Sequence, residues 1–162
     1  MKLTFDVCVF GAGPAGAAVV TRLADLGLAV VVLDRSPKRK PWGGESFTGA
    51  IRQPLSVLGL WEEFCAAGHV AGYEQRIGWG SAPWEKSSIF SAQGNLWHVD
   101  RDRFDNDLRE ALHRRNIPVR NYHKIERLQL CGREWHVCLD QDLEIFCRYL
   151  VDATGRARAL AR

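Results

Sequence analysis

The chain has 162 residues, of which 46% are hydrophobic and 25% charged, with a formal net charge of +3. That is enough chain for one globular domain with a core of its own, and the composition is ordinary for such a domain. The charge is too small to argue for a nucleic-acid partner, and no segment reaches the ~20 apolar residues of a membrane span.

Residues 5–10 read as a short buried strand. Lys2 followed by apolar residues has the outline of a secretory leader, but Asp6 interrupts the run and Gly11, Gly13 and Gly16 would break its helix. The expectation is a cytoplasmic protein. A glycine-rich turn follows at 11–16, and a helix is expected over 14–26. Pro14 suits the first helical position, where its missing N–H would be unpaired anyway. Val20, Leu23 and Ala24 supply an apolar stripe, and Gly27 ends the helix. Residues 28–33 are continuously apolar, as in a parallel strand covered on both faces. Together these elements make one βαβ unit with a right-handed crossover.

Residues 36–98 read as an inserted segment. Pro37, Pro41, Gly43 and Gly44 mark a loop; Lys38, Arg39 and Lys40 within it form either a solvated face or a phosphate-facing cluster. Helical stretches fit 48–58 and 60–67, split at Gly59, and 68–98 look irregular or weakly β. Trp42, Trp61, Trp79, Trp84 and Trp97 all fall in this stretch. They either line a pocket for an aromatic substrate or fill a core.

From residue 99 to the end, order returns. Asp100 is a candidate N-cap for a helix over about 101–115, with Phe104, Leu108, Ala111 and Leu112 on its apolar face. Short strands fit 125–130, 134–139 and 143–147 as an antiparallel meander with turns at Cys131-Gly132 and Asp140–Asp142. A last buried strand fits 149–153. Of Cys8, Cys65, Cys131, Cys138 and Cys147, none makes a Cys-x-x-Cys pair, and no His stands at zinc-finger spacing. The reading names no metal ligand and expects reduced thiols; Cys131 and Cys138 could also face each other across a hairpin.

Gly11-Ala12-Gly13-Pro14-Ala15-Gly16 is G-x-G-x-x-G between a strand and a helix, the context that gives this motif its force. Gly11 permits the tight turn, Gly13 lets a pyrophosphate approach the backbone, and Gly16 lets the helix pack close to the strand. The helix N-terminus adds free N–H groups and partial positive charge. Asp34 ends the second strand, eighteen residues after Gly16. A carboxylate there accepts hydrogen bonds from ribose hydroxyls and repels a 2′-phosphate, favouring FAD or NAD over NADP.

Taken together, Gly11–Gly16 with Asp34-Arg35, Gly44-Glu45-Ser46, Asp100 to Asp105 and Asp152-Ala153-Thr154-Gly155-Arg156 resemble the glutathione-reductase-type FAD proteins. Within them the likeness is to the branch of flavin monooxygenases, geranylgeranyl-reductase-like and tryptophan-halogenase-like enzymes. The resemblance implies an α/β, Rossmann-like FAD-binding domain with a parallel sheet, a three-stranded antiparallel crossover meander and an inserted helix-and-loop segment. It implies FAD contacts at Gly11, Gly13, Pro14, Ala15, Gly16, Asp34 and Arg35. Glu45 and Ser46 would lie near the flavin on a mobile glycine loop, although Ser46 equally suits a helix N-cap. Arg101 would reach the ribityl–phosphate chain, and otherwise is a solvated arginine in an acidic first turn. Thr154 and Gly155 would form a second backbone approach to the dinucleotide.

Family members are longer, with a second fingerprint and a substrate domain, so the chain is expected to be an N-terminal part of such an enzyme. The window Gly72 to Trp79 lacks the lysine that halogenases use. That shifts the expectation to oxygen transfer onto a small-molecule or protein-borne aromatic substrate, with halogenation or prenyl reduction behind it. Electrons would come from NAD(P)H or a partner flavin reductase. A non-catalytic nucleotide-binding module is the other reading, and no catalytic residue is named.

Overall fold

Strand β1 (Lys2–Phe10) is fully buried over its last four residues, as expected for the middle of a parallel sheet covered on both faces. Helix α1 (Pro14–Asp25) and strand β2 (Val30–Arg35) follow. In this computed structural model, which describes residues 1–35, 45–78, 80, 84–88, 91–140 and 142–160, the chain continues with strand β3 (Glu45–Phe47), a 3-10 turn at Gly49–Ile51, and helices α2 (Arg52–Val57) and α3 (Trp61–Ala66). Short strands β4 (Val70–Gly72), β5 (Glu74–Ile77), β6 (Trp84–Ser87) and β7 (Leu96–Val99) come next. Helix α4 (Arg101–Arg114), strands β8 (Val119–Tyr122), β9 (Ile125–Cys131), β10 (Glu134–Leu139) and β11 (Leu143–Asp152), and a 3-10 turn at Gly155–Ala157 complete the described chain.

The chain forms two compact units, one of Met1–Arg39 with Leu108–Arg162 and one of Lys40–Asp107, with the boundary inside α4. The first unit is a Rossmann-like α/β domain. Its six-stranded sheet runs β8-β2-β1-β11-β10-β9. β1 pairs in parallel with β2 and β11, β2 with β8, while β10 is antiparallel to both β11 and β9. One core lies on a single sheet face, with Cys8, Phe10, Val31, Leu33, Tyr122, Val137, Leu139, Ile145 and Cys147. Val7, Val9, Val30 and Val32, on the opposite pleat, are buried with Ala17 and Val20 of α1. Each such aliphatic side chain contributes roughly 1.5–3 kcal/mol when fully buried.

In the second unit, β3 and β4 flank β7 in a three-stranded sheet, and β5 and β6 form a separate hairpin. Its core is aromatic. The Phe64 ring meets Trp97 edge-on at 5.2 Å and Phe104 at 5.8 Å, and stacks with Trp61 at 5.8 Å. Phe47 and Phe104 meet at 5.3 Å. Trp61 and Trp97, both partly buried, pack into this aromatic cluster. Trp42, Trp79 and the loop 36–44, with its basic cluster and Gly44, lie outside the described residues.

Several elements differ from expectation. The strands expected at 143–147 and 149–153 are one ten-residue strand, β11, continuous because β1 pairs along nearly all of it. β8, parallel to β2, was not anticipated. Glu45 and Ser46 lie in a strand, not a loop, and Ser46 caps no helix; the residue before the 3-10 turn is Thr48. Cys131 and Cys138 do not face each other, because the tight turn at Gly132 sets Cys131 opposite Glu134 and Cys138 opposite Arg127. All five thiols are free. Asp100 does cap α4: its Oδ1 accepts the Arg103 N–H at 3.1 Å. Among the described residues no helix is long and apolar enough to cross a membrane.

Candidate dinucleotide site at the carboxyl ends of the parallel strands

β1, β2 and β11 end together, and the chain leaves β1 at Gly11. The Gly11 N–H donates to the Leu33 carbonyl at 2.7 Å, and the Ala153 N–H donates to the Phe10 carbonyl at 2.8 Å. Gly11 has φ +102°, and a Cβ there would lie 2.6 Å from the Ala153 oxygen. At Gly16 a Cβ would lie 1.8 Å from the Gly11 oxygen. The fold itself thus excludes a side chain at both positions.

Gly13 is different. Its φ of −73° and ψ of −177° suit any residue, and a Cβ there would meet nothing within 4 Å. Nothing in the protein requires glycine at this position, so the open space in front of it fits a ligand that approaches the backbone closely. Gly13 is also the N-cap of α1 and no side chain caps the helix, leaving its N–H groups for an anion. Pro14 begins the helix and Ala15 is exposed at this end.

Asp34 stands at the end of β2, beside this turn. Its Oδ1 accepts the Ala12 N–H at 3.1 Å, and Oδ2 accepts from the Arg109 guanidinium of α4 at 2.5 Å. The carboxylate side chain is 14% exposed. A carboxylate offers about four lone-pair directions, so two remain for ribose hydroxyls. Arg109 escaped the sequence reading; the signal was the four-residue spacing of Arg101, Asp105 and Arg109 along α4. Arg35 is exposed at the last position of β2, opposite Tyr122 of β8. Burial raises the Tyr122 phenol's pKa, Arg35 opposing that and Asp34 adding to it.

Beyond β11 the turn is held by Asp152. Its Oδ1 accepts from the Thr154 N–H at 3.0 Å and the Thr154 hydroxyl at 2.5 Å, and Oδ2 accepts the Leu160 N–H at 3.0 Å. Thr154 Oγ1 in turn accepts the Ala159 N–H at 2.9 Å. Gly155 has φ +60°, and a Cβ there would meet nothing within 4 Å. Gly11, Gly13, Gly16, Asp34 and Thr154-Gly155 are therefore gathered in the first unit, at the place where open α/β sheets bind ligands.

The remaining expected residues lie in the second unit. Arg101 pairs with Glu45, and with Asp105 at 3.2 Å. Burial lowers the Arg101 pKa, and the hydrogen bonds and charges of Glu45 and Asp105 more than reverse that, leaving it raised. Ser46 Oγ lies 2.8 Å from His98 Nδ1 across the β3–β7 pair. The structure engages Glu45, Ser46 and Arg101 with their own neighbours in this unit.

Comparison with known proteins gives the family and the fold. The model of an FAD binding domain family matches residues 4–161. The chain is 27% identical, over 98% of its length, to a 1H-pyrrole-2-carbonyl-[peptidyl-carrier protein] brominase of Pseudoalteromonas luteoviolacea, and spans 39% of that relative. A flavoprotein/dehydrogenase from Cytophaga hutchinsonii superposes on 99% of the chain with TM-score 0.84 at 23% identity, the chain covering 41% of it. The peptidyl tryptophan dihydroxylase QhpG superposes on 96% with TM-score 0.71 at 24% identity, the chain covering 33% of it. The chain thus spans well under half the length of these proteins.

Proposed function

This chain belongs to the FAD binding domain family, and from that premise we propose that it holds FAD for a flavin-dependent monooxygenase acting on an electron-rich aromatic substrate. The observation that carries the cofactor reading is Gly13, a glycine that the fold does not need and a pyrophosphate does. In this reading Gly13, Pro14, Ala15 and the α1 N-terminus receive the pyrophosphate. Gly11 and Gly16 keep the turn tight. Asp34, oriented by Ala12 and Arg109, accepts the adenosine ribose hydroxyls, with Arg35 beside it, while Thr154 and Gly155 offer backbone at the end of β11. For the flavin half, Glu45, Ser46 and Arg101 are the candidates, on the strength of the resemblance of their motifs to the monooxygenase and halogenase-like branch.

Bound FAD supplies the electron transfer and oxygen chemistry. The chain's own residues bind and orient it. Asp34 also screens the choice of dinucleotide, since its charge opposes a 2′-phosphate. Free thiols throughout suit a reducing compartment, and we assign the protein to the cytoplasm, with NAD(P)H or a partner reductase as electron source.

Oxygen transfer is preferred because the window Gly72 to Trp79 contains no lysine. Halogenation is the second reading, favoured by the likeness to the brominase. One assay separates them. The protein that carries this domain is given reduced FAD, oxygen and bromide with an indole or a tryptophan-bearing protein, and the product is weighed. A gain of one oxygen is expected; a bromine isotope pattern would reverse the choice.

A further inference from the structure

β10 and β11 lie side by side with an alternating pattern. Val137, Leu139, Ile145 and Cys147 point into the core and are at most 1% exposed. His136, Cys138, Glu144 and Phe146 therefore share the opposite face. The register sets Cys138 directly across from Glu144 and His136 directly across from Phe146. His136 Nε2 lies 2.8 Å from Glu144 Oε2 and 3.4 Å from Cys138 Sγ, and all three ligand atoms fall within 4.8 Å of one another. The imidazole stacks on Phe146 with centroids 4.4 Å apart and planes 10° apart, which holds the ring's orientation.

With Nε2 protonated the ring donates to Glu144 Oε2, and the Cys138 sulfur keeps only a long contact to the same nitrogen. Imidazole nitrogen, thiol sulfur and carboxylate oxygen gathered this closely on one sheet face are the donor set of a zinc-class ion. We propose that His136, Cys138 and Glu144 form a binding site for a divalent cation of the zinc class, with water as fourth ligand.

Two edges of the ligand triangle are close to what such an ion needs, and the sulfur–oxygen edge lies within 4.8 Å. Zinc–sulfur and zinc–nitrogen bonds of about 2.3 and 2.0 Å in a tetrahedron set the two ligand atoms about 3.5 Å apart, against the 3.4 Å observed. The nitrogen–oxygen edge would open from 2.8 Å to about 3.3 Å, a small torsion for the partly exposed Glu144 side chain. Thiolate and imidazole select zinc-like ions over magnesium or calcium, which prefer oxygen ligands alone. Two cations flank the site: Lys2 lies across from Glu144 on β1, and Arg127 across from Cys138 on β9. Lys2 and the N-terminal amine, whose charges act on Glu144, limit affinity. On binding, Cys138 releases its thiol proton to solvent and the neutral imidazole carries its proton on Nδ1. The bound ion would link β10 to β11 through their side chains as well as their backbone ladder.

Cobalt(II) reports on such a site, since a tetrahedral thiolate complex absorbs in the near ultraviolet. Titration of the purified protein with Co²⁺, under a non-thiol reductant, should give a thiolate band that saturates at one equivalent and is bleached by Zn²⁺. Cys138→Ser should abolish the band, Glu144→Gln and His136→Gln should weaken binding at least tenfold, and Cys131→Ser should leave it unchanged, with circular dichroism confirming that each variant folds. Should Cys138→Ser not fold, the tenfold losses in the other two variants carry the test. A wild-type protein with no thiolate band, or a band lost in Cys131→Ser and kept in Cys138→Ser, would overturn the assignment.

Discussion

Gly13 and Gly16 stand three residues apart in one motif and should respond oppositely to substitution. In Gly16→Ala the added methyl would sit 1.8 Å from the Gly11 carbonyl oxygen, so the turn and α1 must part. Overpacking of this severity against backbone costs about 3 kcal/mol or more, a large fraction of a small domain's stability. In Gly13→Val the added Cβ meets nothing within 4 Å and the backbone angles are unstrained. Exchanging glycine for valine at a helix N-cap costs at most about 1 kcal/mol, partly offset by the stiffer unfolded chain. The valine nevertheless stands where a pyrophosphate would approach, so FAD affinity should fall at least tenfold, or about 1.4 kcal/mol. Urea unfolding reads the first effect and flavin fluorescence titration the second. If Gly13→Val binds FAD as the wild type does, or unfolds as readily as Gly16→Ala, the division between a structural and a ligand-facing glycine is wrong.

Arg109→Ala leaves the nearly buried Asp34 carboxylate without its guanidinium and should cost about 1–3 kcal/mol in urea unfolding; an unchanged midpoint would contradict the pairing. His69, 8% exposed, packs between Phe64 and Phe104, and neither ring nitrogen has a hydrogen-bond partner among the described residues. Burial lowers its pKa, Asp107 and Asp100 raise it and Arg103 lowers it, for a net decrease. The unfolded chain therefore takes up a proton first, and stability should fall as pH drops from about 6.5 through the folded value. His69→Phe should flatten that decline between pH 8 and 5, and an unaltered profile would place the titration elsewhere. Asp140 accepts the His123 and Lys124 N–H groups at 3.0 and 3.2 Å, and the His123 bond above all lowers its carboxyl pKa. Its contribution is complete above the ordinary aspartate range and lost as pH falls through the lowered folded value, so Asp140→Asn should reduce the acid sensitivity of thermal unfolding. Equal acid sensitivity in wild type and variant would count against it.

The first strand–turn–helix–strand was readable because its signals are local: an apolar run, glycines at fixed offsets, proline at the helix start. Asp34 was legible for the same reason, but its partner Arg109 was not, since the two meet only when α4 reaches β2. β8 escaped because four residues with two exposed polar side chains, Arg120 and Asn121, carry no period of their own; β2 recruits them. The unity of β11 was hidden by Arg148, a charged residue between two largely apolar runs. β10 pairs only with Leu143 to Cys147, and beyond that point exposed residues interrupt the apolar pattern while the ladder with β1 continues. Glu45 and Ser46 were read as a loop because three residues after two glycines look like one; their strand exists through pairing with β7.

The central claim, that this chain holds FAD by its adenosine diphosphate half, is tested most directly by calorimetric titration of the protein with FAD and with NAD. Saturable binding of one FAD per chain, tighter than that of NAD, is the expected result. Tighter binding of NAD, or no heat with FAD at all, would contradict it.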